Sequence, residues 1–247
     1  YQKWGSGETP ESTGIKGDKL VGKYYVLYDQ KEKANPEILQ EVQEMLRMWE
    51  AGDPETIDLW KQLNGWVLDG FRETYDRMNV SFDKYYFESE TYKGGRELVL
   101  SALEKGICVE EPNGAVAIDL EADKLGKKIL LRGDGTSMYI TQDINTTVSK
   151  FADFDLDGCL FVVGSEQDNH FRVLFNVLSR FGYEWATQCE HISYGMITLP
   201  EGKMKSREGT VVDLDDLMNE MKMLALQEIQ ERAREGRETA YEKLDQT

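Results

Sequence analysis

Between residues 54 and 78, apolar positions recur at three- and four-residue steps: Ile57, Trp60, Leu63, Val67, Leu68 and Phe71. That period places them on one side of a helix and predicts an amphipathic segment facing a core. Asp53-Pro54 sets a capping residue before a proline at the first helical position, and Asn35-Pro36 opens an earlier helix that Gly52 closes. Residues 24–28, Tyr-Tyr-Val-Leu-Tyr, read as a short strand or equally as the start of a helix. Residues 1–19 are rich in Gly, Ser, Thr and Lys with no apolar period, and are expected to be loop or linker.

The pattern changes in the middle of the chain. Residues 80–88 alternate loosely like a strand, and residues 95–105 read as a helix ended by Gly106. Short strands are expected at 107–110, 115–120 and 129–132, with Glu111-Pro112-Asn113-Gly114 as a tight hairpin turn between the first two. Further on, Leu160-Phe161-Val162-Val163-Gly164 is a continuous apolar run, expected of a strand buried on both faces of a parallel sheet. A helix over 168–181 closed by Gly182, a strand over 191–197, and a long charged helix capped by Asp213 complete an α/β pattern. In such sheets ligands bind where strands finish, which directs attention to 164–167 and to the loop after Ile197.

Composition narrows the classes. The 247 residues are 40% hydrophobic and 30% charged, enough apolar content for a real core. A net charge of −17, spread evenly along the chain, argues against a nucleic-acid coat protein, which needs a basic surface. No apolar run approaches the ~18 residues of a membrane span, so no membrane partner is expected. Cys108, Cys159 and Cys189 are scattered with no CxxC, as in a reducing compartment such as the cytoplasm. With only His170 and His191 present, a histidine-rich metal site is excluded.

Three segments carry candidate chemistry. In Glu201-Gly202-Lys203-Met204-Lys205-Ser206-Arg207-Glu208-Gly209, three cations alternate between flanking glycines. Such a loop can fold over a ligand and stabilise charge growing on a phosphate or pyrophosphate, although a basic triplet is more often a solvated surface loop. In Asp134-Gly135-Thr136-Ser137-Met138-Tyr139-Ile140-Thr141-Gln142-Asp143, a turn precedes a helix for which Thr141 is the expected cap. Tyr139 and Asp143 then offer a phenol and a carboxylate to one ligand, the carboxylate suited to a guanidinium. The plain alternative is an acidic residue favoured by a helix start. Gly164-Ser165-Glu166-Gln167-Asp168-Asn169-His170 follows the apolar strand and sets polar side chains at its carboxyl end. A lone His170 there is more often packed or hydrogen-bonded than catalytic.

Taken together, in this order and spacing, these segments resemble the arginyl-tRNA synthetases, a family of class I aminoacyl-tRNA synthetases, from about Tyr24 to Asp216. The resemblance implies part of a class I Rossmann-like nucleotide-binding fold with a small α+β insertion. Its expected divisions are a flexible linker over 1–19, a helical part over 20–79, the insertion over 80–131 and the second half of the nucleotide fold over 132–247. It implies that Tyr139, Asp143 and Gln167 hold arginine, Asp143 reading the guanidinium. Gly164, His170, Met196 and Ile197 would lie beside ATP.

Residues 203–207 match the family's KMSKS loop, so Lys203, Met204, Lys205 and Ser206 would bind ATP, with Lys203, Lys205 and Arg207 as the cations that stabilise the pyrophosphate. The match departs from the general pattern: Ser206 stands where a lysine is usual, and Lys205 and Arg207 stand at serine places. Mg²⁺ would come with ATP, held by phosphates and water rather than by a protein site. No HIGH motif is present and no anticodon-binding domain follows, so the chain reads as an internal piece of an arginine–tRNA ligase, expected to be inactive alone, with tRNA as a partner of the longer protein. The other reading is a non-catalytic synthetase-like module that senses an amino acid or binds a protein.

Overall fold

The structure is a computed structural model that describes residues 1–196, 198–199, 202–203 and 211–234. In chain order its helices and strands are α1 (Pro10–Thr13), α2 (Gly17–Ala34), α3 (Ile38–Glu50), α4 (Pro54–Arg77), α5 (Glu88–Glu104), β1 (Val109–Glu110), β2 (Val116–Leu120), β3 (Gly126–Leu131), α6 (Tyr139–Asp153), β4 (Cys159–Gly164), α7 (Asp168–Arg180), β5 (Cys189–Tyr194), β6 (Thr198–Leu199), β7 (Gly202–Lys203) and α8 (Leu214–Arg234). They form two compact units, one from residues 1–81 with 198–247 and the other from 82–197. The boundary near 81 coincides with the change in sequence pattern. Residues 132–197, however, share a unit with 82–131 rather than with the C-terminal helix.

The first unit is helical. Asp53 caps α4 by accepting from the Thr56 backbone N–H at 2.9 Å, with Pro54 at the first helical position, as its sequence predicts. Helix α2 crosses α4 at Gly70, where a Cβ would stand 2.2 Å from Asp18 Oδ1. Close approach to the start of α2 therefore runs along Trp66, Gly70 and Thr74, not along the predicted stripe. Trp60 and Phe71 of that stripe are exposed, and Ile57, Leu63, Val67 and Leu68 are half-buried.

Residues 24–28 lie inside α2 and not in a strand, since the helix starts at Gly17 and buries Leu20 and Tyr24 on one side. Residues 1–19 are also less loop-like than expected. Thr9 caps a helical turn at α1, and the Tyr1 ring meets Tyr24 and Trp66 edge-on at 5.4 and 5.7 Å.

Asp215 ties α8 into this unit. Its nearly buried carboxylate accepts from Lys16 Nζ at 2.5 Å, Thr74 Oγ1 at 2.9 Å and Arg77 Nη1 at 2.5 Å. Burial alone would push the Asp215 carboxyl up, but these donors outweigh it and hold it below its usual value. Asp213 caps the helix start by accepting from the Asp215 and Asp216 backbone N–H groups at 2.9 and 3.2 Å.

The second unit is α/β. Strands β1, β2 and β3 form an antiparallel sheet in that order, and the predicted hairpin joins the first two. Residues 80–88 are not a strand: residues 82–87 lead directly into α5. Leu120, Leu130 and Leu131 pack with Val99, Ile144, Leu174, Val177 and Leu178 in a core from α5, the sheet, α6 and α7. Each such side chain contributes about 1.5–3 kcal/mol by leaving water. Helices α5 and α6 come into backbone contact at Gly95, where a Cβ would stand 2.2 Å from the Thr141 carbonyl oxygen. Any other residue there forces the helices apart.

Strands β4 and β5 run parallel, with Phe161 opposite His191 and Gly164 opposite Tyr194. Phe161 and Val163 pack toward α7, whereas Leu160 and Val162 are 65% and 67% exposed. The expectation of a strand covered on both faces is therefore corrected. Successive side chains alternate across a strand, and α7 covers only one side of this pair within the unit.

Candidate functional site

The sequence around Asp134 folds as read, up to one difference. Asp134 Oδ1 accepts from the Thr136 backbone N–H at 2.9 Å and from its hydroxyl at 2.7 Å, which makes the turn. Helix α6 then starts at Tyr139, two residues before the expected cap. Thr141 is buried inside the first turn and donates its hydroxyl to the Leu130 carbonyl at 2.5 Å, so it pins the helix to β3 rather than capping it. The shift puts Tyr139, Asp143, Thr146, Thr147 and Lys150 along one face of α6, at spacings of three and four.

That face and α7 enclose a cavity of about 230 Å³ lined by these five residues together with Phe161, Val163, Gln167, His170, Phe171 and Leu174. The cavity thus brings together Tyr139, Asp143, Gln167 and His170, all four named from sequence. His170 Nε2 lies 2.7 Å from Asp143 Oδ2, and the Tyr139 ring tilts against the His170 ring with centroids 5.3 Å apart. The Asp143 carboxylate, helped by burial and by Glu88, holds the Tyr139 hydroxyl above its ordinary pKa, so it stays a neutral hydrogen-bonding group. Lys150 lies seven residues beyond Asp143, about 10.5 Å along the helix, with its ammonium 4.7 Å from the Phe161 ring centroid. The cavity is therefore lined by a carboxylate at the Asp143 end and by a cation over an aromatic ring at the other.

Gly164 and Met196 are neighbours at the end of the parallel pair. A Cβ on Gly164 would stand 3.4 Å from Met196 Sδ, an ordinary contact, and the Gly164 backbone is extended at φ −60°. Neither the backbone nor this neighbour requires glycine there. The residues expected beside ATP are thus divided. Gly164 and Met196 sit at the strand end, His170 turns into the Asp143 cavity, and Ile197, Met204, Lys205, Ser206 and Arg207 lie outside the described residues. Of Lys203, only the backbone is described, paired with Thr198 in the short β6–β7 ladder.

Lys150, Thr146 and Thr147 are cavity residues that motif reading missed, although continuing the α6 face from Asp143 in helical steps would have found them. Among the described residues, no group of three His, Cys, Asp or Glu side chains could hold one metal ion, and no helix is long and apolar enough to cross a membrane.

Residues 15–246 match the family model for tRNA synthetases class I (R), catalytic domain. The chain belongs to this family. It is 53% identical over 237 residues to an arginine–tRNA ligase of Treponema denticola, covering 95% of this chain and 40% of that protein. An arginine–tRNA ligase of Bacteroides thetaiotaomicron is 52% identical over 249 residues, covering 94% and 42%. The class I (R) chain described here thus spans about 40% of the length of the curated relatives it matches.

Solved structures agree on the fold. An arginyl-tRNA synthetase from Plasmodium falciparum superposes with a TM-score of 0.63 at 18% identity, covering 81% of this chain and 33% of that one. One from Thermus thermophilus gives 0.60 at 17% identity, covering 84% and 45%.

Proposed function

We propose that the chain is the arginine-binding part of an arginine–tRNA ligase, which activates arginine with ATP to arginyl-adenylate and passes it to tRNA. The observation that supports this most directly is the cavity around Asp143. It is smaller than the ~300–1,000 Å³ of drug-sized pockets and suits one amino acid. A carboxylate, a neutral phenol and an amide converge on it from Asp143, Tyr139 and Gln167. A guanidinium carries five N–H donors and no acceptor, so acceptors are what its site must supply. Phe161, Phe171 and Leu174 offer apolar surface for an aliphatic stem.

In this reading Asp143 carries specificity and His170 holds its carboxylate. Gly164 and Met196 border the ATP, where glycine lets a nucleotide approach the backbone closely. Residues 203–207 supply cations for the pyrophosphate. No enzyme nucleophile is needed, because positioning and charge stabilisation carry adenylyl transfer. Mg²⁺ enters with ATP, held by phosphates and water. tRNA would dock largely through parts of the longer protein, since a chain of charge −17 is a poor phosphate binder. The cytoplasm, where translation consumes the product, is the proposed location.

The test is arginine-dependent ATP–pyrophosphate exchange by the product of the complete open reading frame encoding this chain. Exchange with arginine supports the reading. Exchange with no amino acid, or with another one preferred, overturns it.

A further inference from the structure

We propose that His191 is a positioning residue, one imidazole on β5 that holds both ends of the turn carrying Gly164 and Gln167 to the cavity. Its kinetic consequence rests on the arginine–tRNA ligase reading above; its structural consequence does not. His191 Nε2 lies 3.0 Å from the Val163 carbonyl oxygen, and a carbonyl only accepts, so this nitrogen donates. The other ring nitrogen, Nδ1, lies 3.1 Å from Asp168 Oδ1, an ion pair when the ring carries both protons. Val163 immediately precedes Gly164 and Asp168 immediately follows Gln167. One ring therefore touches the last residue before the turn and the first residue after it.

Three further features give this bracket weight. The His191 side chain is 9% exposed and its ring stacks on Phe171 with centroids 4.4 Å apart and planes at 30°. A buried ring with a fixed face is a firm support. Secondly, α7 has no side-chain cap of its own: its N-cap, Gln167, makes no capping hydrogen bond. The Asp168 backbone N–H bonds back to the Ser165 carbonyl, and the His191 contact to the Asp168 side chain adds a tie from β5. Finally, Phe161 and His191 are register partners in the parallel pair, so the ring reaches two residues along β4 to meet Val163.

Gln167 ends the turn, and His170 follows one helical turn into α7, where it contacts Asp143. If the strand end and the helix start are free to move apart, both groups lose their place relative to Asp143. A misplacement of about 1 Å remote from the chemistry can cost roughly 10²-fold in rate. The sequence alone suggested only a strand at His191.

The test uses the full-length protein with His191→Phe, which keeps the ring stack and removes both polar contacts. His191→Gln keeps one N–H donor, and Asp168→Ala removes only the Nδ1 partner. The control is Glu190→Gln, an exposed neighbour on β5. Hydrogen–deuterium exchange of the peptide spanning 163–170 is read beside the KM for arginine and for ATP in pyrophosphate exchange.

In His191→Phe the 163–170 amides should exchange about tenfold or more faster than in wild type, against little change elsewhere. The arginine KM should rise about tenfold, with His191→Gln and Asp168→Ala falling between wild type and His191→Phe. Unchanged protection of 163–170, or a uniform loss across all peptides, overturns the proposal. If His191→Phe does not fold, His191→Gln and Asp168→Ala decide it by the same criteria. Absence of arginine-dependent exchange in wild type would refute the functional reading, while peptide protection would still judge the bracket.

Discussion

Asp143 and His170 meet at 2.7 Å between α6 and α7, although 27 residues separate them in sequence. The contact occupies one oxygen of the carboxylate and fixes its direction toward the cavity it shares with Tyr139 and Gln167. Replacing the carboxylate with its isosteric amide keeps the shape and removes the charge. Asp143→Asn in the full-length protein is expected to lower kcat/KM for arginine by roughly 10²-fold, equivalent to about 2.7 kcal/mol, with the ATP KM little changed. Steady-state pyrophosphate exchange measures both.

In the proposed reading His170 contributes through Asp143. Its replacement by alanine leaves the carboxylate in place but loosely oriented, a loss of one hydrogen bond of about 1–1.5 kcal/mol. A rise in arginine KM of about tenfold, at nearly constant ATP KM, is the expected outcome. A rise in ATP KM with arginine KM unchanged would assign His170 to the nucleotide instead.

In the helical unit, Asp215 neutralises Lys16 and Arg77 where little water reaches. Asp215→Asn leaves Arg77 without a carboxylate and Lys16 with Asp18 alone, at 3.3 Å. It is expected to destabilise this unit by about 2–4 kcal/mol, below the full cost of a buried pair because Arg77 is partly exposed and Lys16 keeps one partner. Urea unfolding followed at this unit's tryptophans, Trp4, Trp49, Trp60 and Trp66, reads the change.

The same group sets an acid limit. Because the folded state holds the Asp215 carboxyl below its usual value, its stabilisation is present above the unfolded carboxyl pKa of about 3.9 and is lost as pH falls through the lower folded value. The Tm gap between wild type and Asp215→Asn should therefore be full at pH 6–7 and should close as pH falls below about 4. A gap that widened in acid would reverse the assigned sign.

Gly95 is a packing requirement. Its missing Cβ admits the Thr141 carbonyl, so Gly95→Ala must separate α5 from α6. The expected cost is about 2–3 kcal/mol despite alanine's better helix propensity. Calorimetric Tm of the variant checks it, and a stabilised variant would contradict the packing.

Much of this was legible in the chain. Asp53-Pro54, the 111–114 turn and Gly182 mark their boundaries by local chemistry, which a sequence displays directly. Tyr139, Asp143 and Gln167 were legible as chemistry, and only the fold could set them around one cavity. What was not legible depends on contacts between distant segments. Thr141 is a capping type, yet the Leu130 carbonyl makes it a tether. Phe71 obeys the helical period, yet Gly70 draws α2 to a different face. Leu160 and Val162 look like core residues, and no short window tells a strand covered on one side from one covered on both. His191 offered no motif, since its two partners belong to another strand and to the helix beyond it.

In the proposed function Asp143 recognises the charge of a guanidinium. Citrulline has arginine's shape with a neutral ureido group, so the ratio of kcat/KM for arginine over citrulline isolates that recognition. The ratio is expected to be about 10³ or more in the wild-type full-length protein, because the half-buried Asp143 carboxylate loses its charged ligand, and to fall about 10²-fold in Asp143→Asn. A ratio that stays at its wild-type value in Asp143→Asn would contradict it.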